Sequence, residues 1–374
     1  LNLPILPSIA PAQSLPGLLE LDENALREWL SERGEKGMRA SQLRRWLLVA
    51  GAESFDAMTD VPRTLRTQIA AEFVPVGARV VKHLHASDDT HKLLLQMRDG
   101  KLIECVLIQE RDRRTACIST QVGCGMGCVF CASGINGVER NLSTGEILEQ
   151  LVLLRNLPGP RAGSASDGRP LRLTNIVVMG MGEPLANLDC LLEALEVATA
   201  GNGLGIGSRH VTISTVGLPA KIRRLADLGK QYHLAVSLHA PDDALRSRIV
   251  PTNDKTGLDA IFEAADYFFE KNGRRLTYEY VLLQGINDQP EHARMLARRL
   301  QGRCAHVNVI PFNDVEGLPY RRPTTEALTA FVQIFRDAGI FVKVRKRKGA
   351  QIDAACGQLR RSELVTLKTS ESEA

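Results

Sequence analysis

The sequence lacks a membrane span: no apolar stretch approaches the required length, and the N-terminus has no basic-then-apolar leader pattern. It opens at Leu1 rather than Met, as a truncated or processed sequence does. A large charge excess is also missing. The net charge of +4 permits a nucleic-acid partner without establishing one. Charged residues at 24% and apolar residues at 44% fit an ordinary globular protein and exclude wholesale disorder. With 8 cysteines in 374 residues, a disulfide framework is not expected, and the thiols point to a reducing, cytoplasmic setting. The glycine-rich run at 201–207 follows a helical stretch and lacks Gly-Lys-Ser/Thr, so it is neither a dinucleotide fingerprint nor a phosphate loop. The histidines show no metal-ligand spacing.

In chain order, residues 1–16 carry four prolines and little charge, which reads as a disordered tail. Residues 17–77 read as a small helical unit. A helix is expected over 22–33, capped by Asp22 and stopped by Gly34, with Leu26, Trp29 and Leu30 on one face. A second spans 40–49, with Leu43, Trp46 and Leu47 inward and Arg39, Arg44 and Arg45 on an outward basic face. A third runs from Pro62, as a first-turn residue, to Phe73. From 78 to 112 the period becomes two, and Asp99-Gly100 marks a hairpin, so a short antiparallel connector is expected. Residues 113–348 then alternate between the two periods. Strands are expected at 115–121, 173–179, 210–215, 233–238, 276–283 and 306–311. Helices are expected at 143–157, 187–200, 219–229, 258–272, 289–301 and 324–338, with an insertion loop at 158–170. Six βα units imply an α/β fold with parallel strands, as a closed or partly closed barrel or, second, a doubly wound open sheet. Residues 349–374 form a tail.

The densest signal lies at the end of the first of these strands. Cys124, Cys128 and Cys131 stand in C-x3-C-x2-C spacing among Gly123, Gly125 and Gly127. Three thiolates without an obvious fourth ligand leave one coordination position open, which suits chemistry more than bracing. Structural zinc is the default for an isolated C-x2-C pair. This spacing, with Phe130 just before the last cysteine, favours an iron–sulfur cluster with one iron free for an outside ligand. In parallel βα folds ligands gather at the carboxyl ends of strands. There the sequence places Gly180-Met181-Gly182-Glu183-Pro184, then Ser214 and Thr215, then Ser237-Leu238-His239, then Pro311-Phe312-Asn313. Polar groups able to hold a small zwitterion thus recur at one end of successive strands.

The cysteine triplet after the first strand, followed by the Gly-Met-Gly-Glu-Pro segment after the second, resembles the radical S-adenosylmethionine superfamily. That resemblance implies a partial (βα)6 barrel, one [4Fe-4S] cluster on Cys124, Cys128 and Cys131, and S-adenosylmethionine on the open iron. Gly180 and Gly182 allow close backbone approach, and Glu183 helps hold the ammonium group. The stretches 117–124, 140–142, 179–185, 237–241 and 353–359 narrow the resemblance to the RlmN/Cfr family of RNA methyltransferases, over roughly residues 22–360. Gly182-Glu183-Pro184, the segment 309–313 and Glu104 favour the RlmN branch, which methylates adenine carbon-2 in large-subunit ribosomal RNA and in tRNA beside the anticodon.

By that resemblance Cys356 takes a methyl group from one S-adenosylmethionine. A second molecule yields the 5′-deoxyadenosyl radical that activates the S-methyl group, and the carbon radical joins adenine. Cys117 then resolves the covalent RNA adduct through a transient disulfide, with Glu104 as the base. The cofactor contacts implied are Gly182, Glu183, Ser214, Ser237, Leu238, His239 and Asn313. A flavodoxin or ferredoxin as electron donor and a monomeric state are also expected, with no membrane partner. A mobile tail suits Cys356 as a methyl carrier. Cys105, Cys190 and Cys304 read as small hydrophobes, and the basic run 343–348 reads as a phosphate grip beside the site. Two other readings stand beside this one: adenine carbon-8 chemistry of the Cfr kind, and a non-catalytic zinc-braced RNA-binding protein.

Overall fold

The structure, a computed structural model, describes residues 15–110, 112–159, 171–315 and 317–359. The expected tail before residue 15, all but the start of the insertion loop, and the C-terminal tail beyond 359 lie outside the described residues.

Three helices open the described chain: α1 (Glu23–Ser31), α2 (Met38–Arg45) and α3 (Arg63–Glu72). Asp22 caps α1 by accepting from the Ala25 N–H at 2.7 Å, and Leu26, Trp29 and Leu30 turn inward. Two details differ from the sequence reading. Pro62 stands just before α3 rather than in its first turn, and a π-helical turn, Trp46–Ala50, replaces the end of the second helix. The expected basic face is largely spent on local contacts. Arg44 is buried and donates to the Leu21 carbonyl, Arg45 pairs with Asp60, and Arg39 bonds Gln42 and the Asp60 carbonyl. Trp46 is only half-buried because its indole N–H reaches outward to Asp60.

The strands are β1 (Arg79–His85), β2 (Thr90–Gln96), β3 (Leu102–Glu110), β4 (Arg113–Cys117), β5 (Gln121–Gly123), β6 (Val138–Asn141), β7 (Asn175–Val178), β8 (Val211–Thr215), β9 (His233–Ser237), β10 (Leu276–Leu282), β11 (Ala305–Pro311) and β12 (Phe341–Val344). Ten of them form one sheet in the order β1-β2-β3-β4-β7-β8-β9-β10-β11-β12, while β5 and β6 pair separately. The sheet is antiparallel through β4 and parallel from β4 to β12. Its order follows the chain and the two edge strands do not pair, so the barrel is partial, as expected. Helices α4 (Thr144–Asn156), α5 (Leu188–Thr199), α6 (Pro219–Asp227), α7 (Asp243–Ile249), α8 (Leu258–Asn272), α9 (Pro290–Leu300) and α10 (Thr325–Asp337) connect the parallel strands. Ser143 and Glu146 form a capping box at the start of α4. One continuous apolar core joins Leu26 and Leu30 of α1 to Leu148 and Leu151 of α4 and to the strand interiors.

The strand expected at 115–121 is divided. β4 stops at Cys117, and β5 belongs to the small second sheet beside the cysteine loop. Ser119 explains the break. Its backbone groups leave the ladder for the Gln150 side chain, at 2.8 and 3.0 Å, and its hydroxyl donates to the Glu104 carbonyl at 2.6 Å. Polar side chains satisfy the backbone where the sheet no longer does, so the chain can peel away. β5, β6, α7 and β12 are elements the sequence reading did not anticipate.

Candidate active site

The carboxyl ends of the parallel strands surround a cavity of about 140 Å³. Cys124, Cys128 and Cys131 line it, together with Gly182, Glu183, Ser214, Ser237, His239, Asn313 and Cys356. The structure therefore gathers residues spread over more than two hundred positions of sequence into one wall. Leu238, Cys117 and Glu104 do not line the cavity. Leu238 is buried behind it, with its N–H on the Glu279 carbonyl at 3.0 Å.

The cysteine loop is clipped at several points. Val129 N–H reaches the Ile249 carbonyl at 3.1 Å, and the Thr252 hydroxyl reaches the Met126 carbonyl at 2.9 Å. Burial pushes the thiols of Cys124, Cys128 and Cys131 up, Cys124 to about 12, and each of the first two also feels neighbouring thiols. Thiolates so placed need positive metal charge to form. Among the described residues, no three His, Cys, Asp or Glu side chains are grouped to hold one metal ion. Three thiols on one glycine-rich loop at the cavity wall are the donor set that an iron–sulfur cluster would take.

Gly182 lies at φ +103°, and a Cβ there would stand 2.7 Å from Gln121, so only glycine lets this loop rest against the strand leading to the cysteines. Gly180 is packed as closely on Ile118 and Ser119. Glu183 accepts from the N–H groups of Leu185 (3.0 Å) and Val216 (2.9 Å), which ties the loop after β7 to the end of β8. His239, at φ +61°, accepts the Val281 N–H on Nδ1 at 3.0 Å and meets Phe130 edge-on at 4.7 Å. Burial lowers its pKa to about 3, so the ring is neutral with its proton on Nε2. The hydroxyls of Ser214 and Ser237 stand 3.5 Å apart. Behind these groups the fully enclosed Arg246 of α7 donates to the carbonyls of Val216, Ser237 and Leu238 and to Asn253 Oδ1.

Cys356 sits in a turn that hydrogen bonds hold on two sides. Asn313 donates to the Cys356 carbonyl at 3.2 Å, Ala132 N–H to the Gly357 carbonyl at 2.9 Å, and Ser133 to the Leu359 carbonyl at 2.8 Å. On its other side the turn meets the β1–β2 hairpin, where Gly349 N–H reaches Asp88 Oδ2 at 3.0 Å. Cys117, at the end of β4, is buried within electrostatic reach of Cys356. Burial first, then that neighbouring thiol, pushes Cys117 up to about 12, while Arg345 acts the other way on both thiols. Glu104 on β3 forms an enclosed ion pair with Lys92, Nζ to Oε1 2.9 Å.

Two cavity neighbours escaped the sequence reading. Glu279 lines the cavity and is held by Asn308 Nδ2 at 3.1 Å and by the Arg345 guanidinium at 3.6 Å. The signal for Glu279 was available, as a charged residue inside an apolar strand. Arg345 was hidden in the basic run 343–348, which the structure divides. Arg345 turns inward, Lys348 approaches Glu110, and Lys343, Lys346 and Arg347 are exposed. Cys105 is enclosed, Cys190 half-buried and Cys304 exposed.

A family model described as Radical SAM superfamily matches residues 118–297, and one described as Ribosomal RNA large subunit methyltransferase N-terminal domain matches residues 17–74. A Rhodopirellula baltica protein named "Probable dual-specificity RNA methyltransferase RlmN" is 52% identical over 92% of this chain and 91% of its own. The chain belongs to the RlmN family. A Clostridium perfringens protein of the same name is 40% identical over 93% of this chain and 97% of its own. A crystal structure of a radical SAM methyltransferase from Sphaerobacter thermophilus superposes with a TM-score of 0.86 at 41% identity, covering 92% of this chain and 99% of that one. The chain therefore shares both the sequence pattern and the partial barrel of a radical S-adenosylmethionine methyltransferase.

Proposed function

We propose that this protein is a radical S-adenosylmethionine RNA methyltransferase that makes 2-methyladenosine in large-subunit ribosomal RNA and in tRNA beside the anticodon. The observation that carries the reading is the single cavity that unites the three cluster cysteines, the strand-end polar groups and Cys356. The names of the relatives, and Gly182-Glu183-Pro184 with Glu104, support the RlmN branch over carbon-8 chemistry.

Cys124, Cys128 and Cys131 hold the cluster. Gly182, Glu183, Ser214, Ser237, His239 and Asn313 frame the place for S-adenosylmethionine, with Leu238 packed behind them. A cluster and S-adenosylmethionine bound there would supply the one-electron chemistry that abstracts a hydrogen atom, one electron being given to start the reaction and one accepted when the ring carbon loses its proton. Cys356 acts twice. Its thiolate first forms a bond to the methyl group of one S-adenosylmethionine as the sulfonium–carbon bond breaks. After a hydrogen atom is lost to a second cofactor molecule, its S-methylene carbon joins adenine carbon-2. Glu104 accepts the proton from that ring carbon. Cys117 then attacks the sulfur of Cys356: the disulfide forms, the carbon–sulfur bond breaks, and a proton completes the new methyl group. Neutral His239 can donate from Nε2 without adding charge to a cationic cofactor. An electron-transfer partner of the flavodoxin or ferredoxin kind supplies the electron, and the enzyme works as a monomer.

The test is nucleoside mass spectrometry after anaerobic reaction with S-adenosylmethionine, reductant and either ribosomal RNA or tRNA. The expected product is 2-methyladenosine from both. Formation of 8-methyladenosine alone would refute the carbon-2 assignment, and a protein purified with stoichiometric zinc and no iron would refute the radical mechanism.

A further inference from the structure

Lys92 is a charged residue in the middle of an apolar strand, with its side chain only 8% exposed. A bare ammonium group in such a place is costly unless strong acceptors surround it. Two acceptors meet it, from segments far apart in the chain. Glu104 Oε1 lies at 2.9 Å, and the backbone carbonyl of Asp353 lies at 3.2 Å. The first contact follows from register. Glu104 pairs with Leu94 across β2 and β3, so Lys92 is its diagonal neighbour on the same face. The second contact reaches the turn that carries Cys356. Asp353 stands at φ +47°, a backbone conformation that needs outside support, and its carboxylate accepts from Gln358 at 3.4 Å. From the opposite side Asn313 and Ala132 hold the carbonyls of Cys356 and Gly357. One ammonium therefore joins the strand that bears Glu104 to the turn that bears the reactive thiol.

We propose that Lys92 is a positioning residue for RNA release, holding the Glu104 carboxylate in place and fixing the Cys356 turn in register with it. Proton acceptor and methyl carrier then address the same ring carbon. The inference rests on the proposed roles of Glu104 and Cys356. A purely structural ion pair would stabilise the sheet without acting through Glu104.

A double-mutant cycle separates the two. Lys92→Met, Glu104→Gln and the double variant are compared in single-turnover release of methylated RNA from the protein–RNA adduct, with cluster content, RNA KM and intact-protein mass for Cys356 methylation measured alongside. Lys92→Met is expected to slow release by about tenfold or more with RNA KM within about twofold, and to add less than about twofold in the Glu104→Gln background. Release at the wild-type rate in Lys92→Met, or a tenfold loss that persists in the Glu104→Gln background, overturns the inference while leaving the function intact. Release at the wild-type rate in Glu104→Gln overturns the base assignment and the inference together. Should Lys92→Met fail to fold, Lys92→Arg takes its place. It retains the charge and is expected to release within about threefold of wild type. A tenfold or larger loss in Lys92→Arg that persists in the Glu104→Gln background overturns the inference.

Discussion

Cys117 and Cys356 come within electrostatic reach of one another from distant parts of the sheet, one ending β4 and the other following β12. Cys117 is buried and Cys356 is half-buried in the cavity wall, and this enclosure holds both thiols poorly ionised when left alone, which leaves their reactivity to the bound reactants. Their proposed roles differ in order, and a substitution separates them. Cys117→Ala is expected to slow RNA release at least ~100-fold, so that a covalent protein–RNA species builds up on a denaturing gel. Cys356→Ala is expected to form none, because no methyl carrier remains. Free methylated RNA leaving Cys117→Ala at the normal rate would count against the resolving role.

At the scale of elements, α7 does more than connect two strands. Its Arg246 draws together the carbonyls that end β8 and β9, and its last residue, Ile249, holds the cysteine loop. Arg246→Met removes the donors and leaves those carbonyls enclosed. A loss of about 3 kcal/mol or more is expected in urea unfolding, with weaker retention of iron after gel filtration. A midpoint shift under ~0.5 kcal/mol would show that the clasp is not needed.

The same elements show what the sequence made legible. The longer βα units announced themselves because their apolar periods, caps and glycine stops agree, as in α4 with Ser143 and Glu146, or α8 ending at Gly273. α7 is seven residues long and carries two arginines, so its period was too short to detect, and its buried cation resembled a surface one. β4 and β5 looked like one strand because the break depends on Gln150, a side chain from another element. The basic run beyond β11 hid a four-residue edge strand, β12, for a similar reason: alternation of Phe, Val and Lys is weaker than a charge pattern. The cysteine triplet and the strand-end groups were legible because residue type and spacing suffice there. Lys92 and Arg345 were not, because their significance lies in partners contributed by other segments.

At the scale of the whole molecule, Glu149 joins the N-terminal helices to the barrel. It projects from α4, and its carboxyl accepts the N–H groups of Gly77 and Ala78 at 2.7 and 2.8 Å. Burial outweighs those donors and raises its pKa to about 7. In the unfolded chain a glutamate ionises near pH ~4.3. Between the two values the folded form holds the proton that the unfolded form has released. Stability is therefore fullest below the unfolded pKa, falls as pH rises through this window, and levels off above the folded value. The expected loss is roughly 3 kcal/mol. Urea midpoints at pH 5 and pH 8 should converge in Glu149→Gln, which mimics the protonated group; an unchanged difference would locate the pH dependence elsewhere.

The chain-ordered sheet also sets a timetable for biosynthesis. A ribosome delivers β1 well before the Cys356 turn, yet the turn docks on Asp88 and Lys92 of the first hairpin. The cysteine loop and most of its surrounding strand ends can therefore assemble before the Cys356 turn leaves the exit tunnel. On the proposed roles, cluster loading and attachment to RNA would then be separated in time.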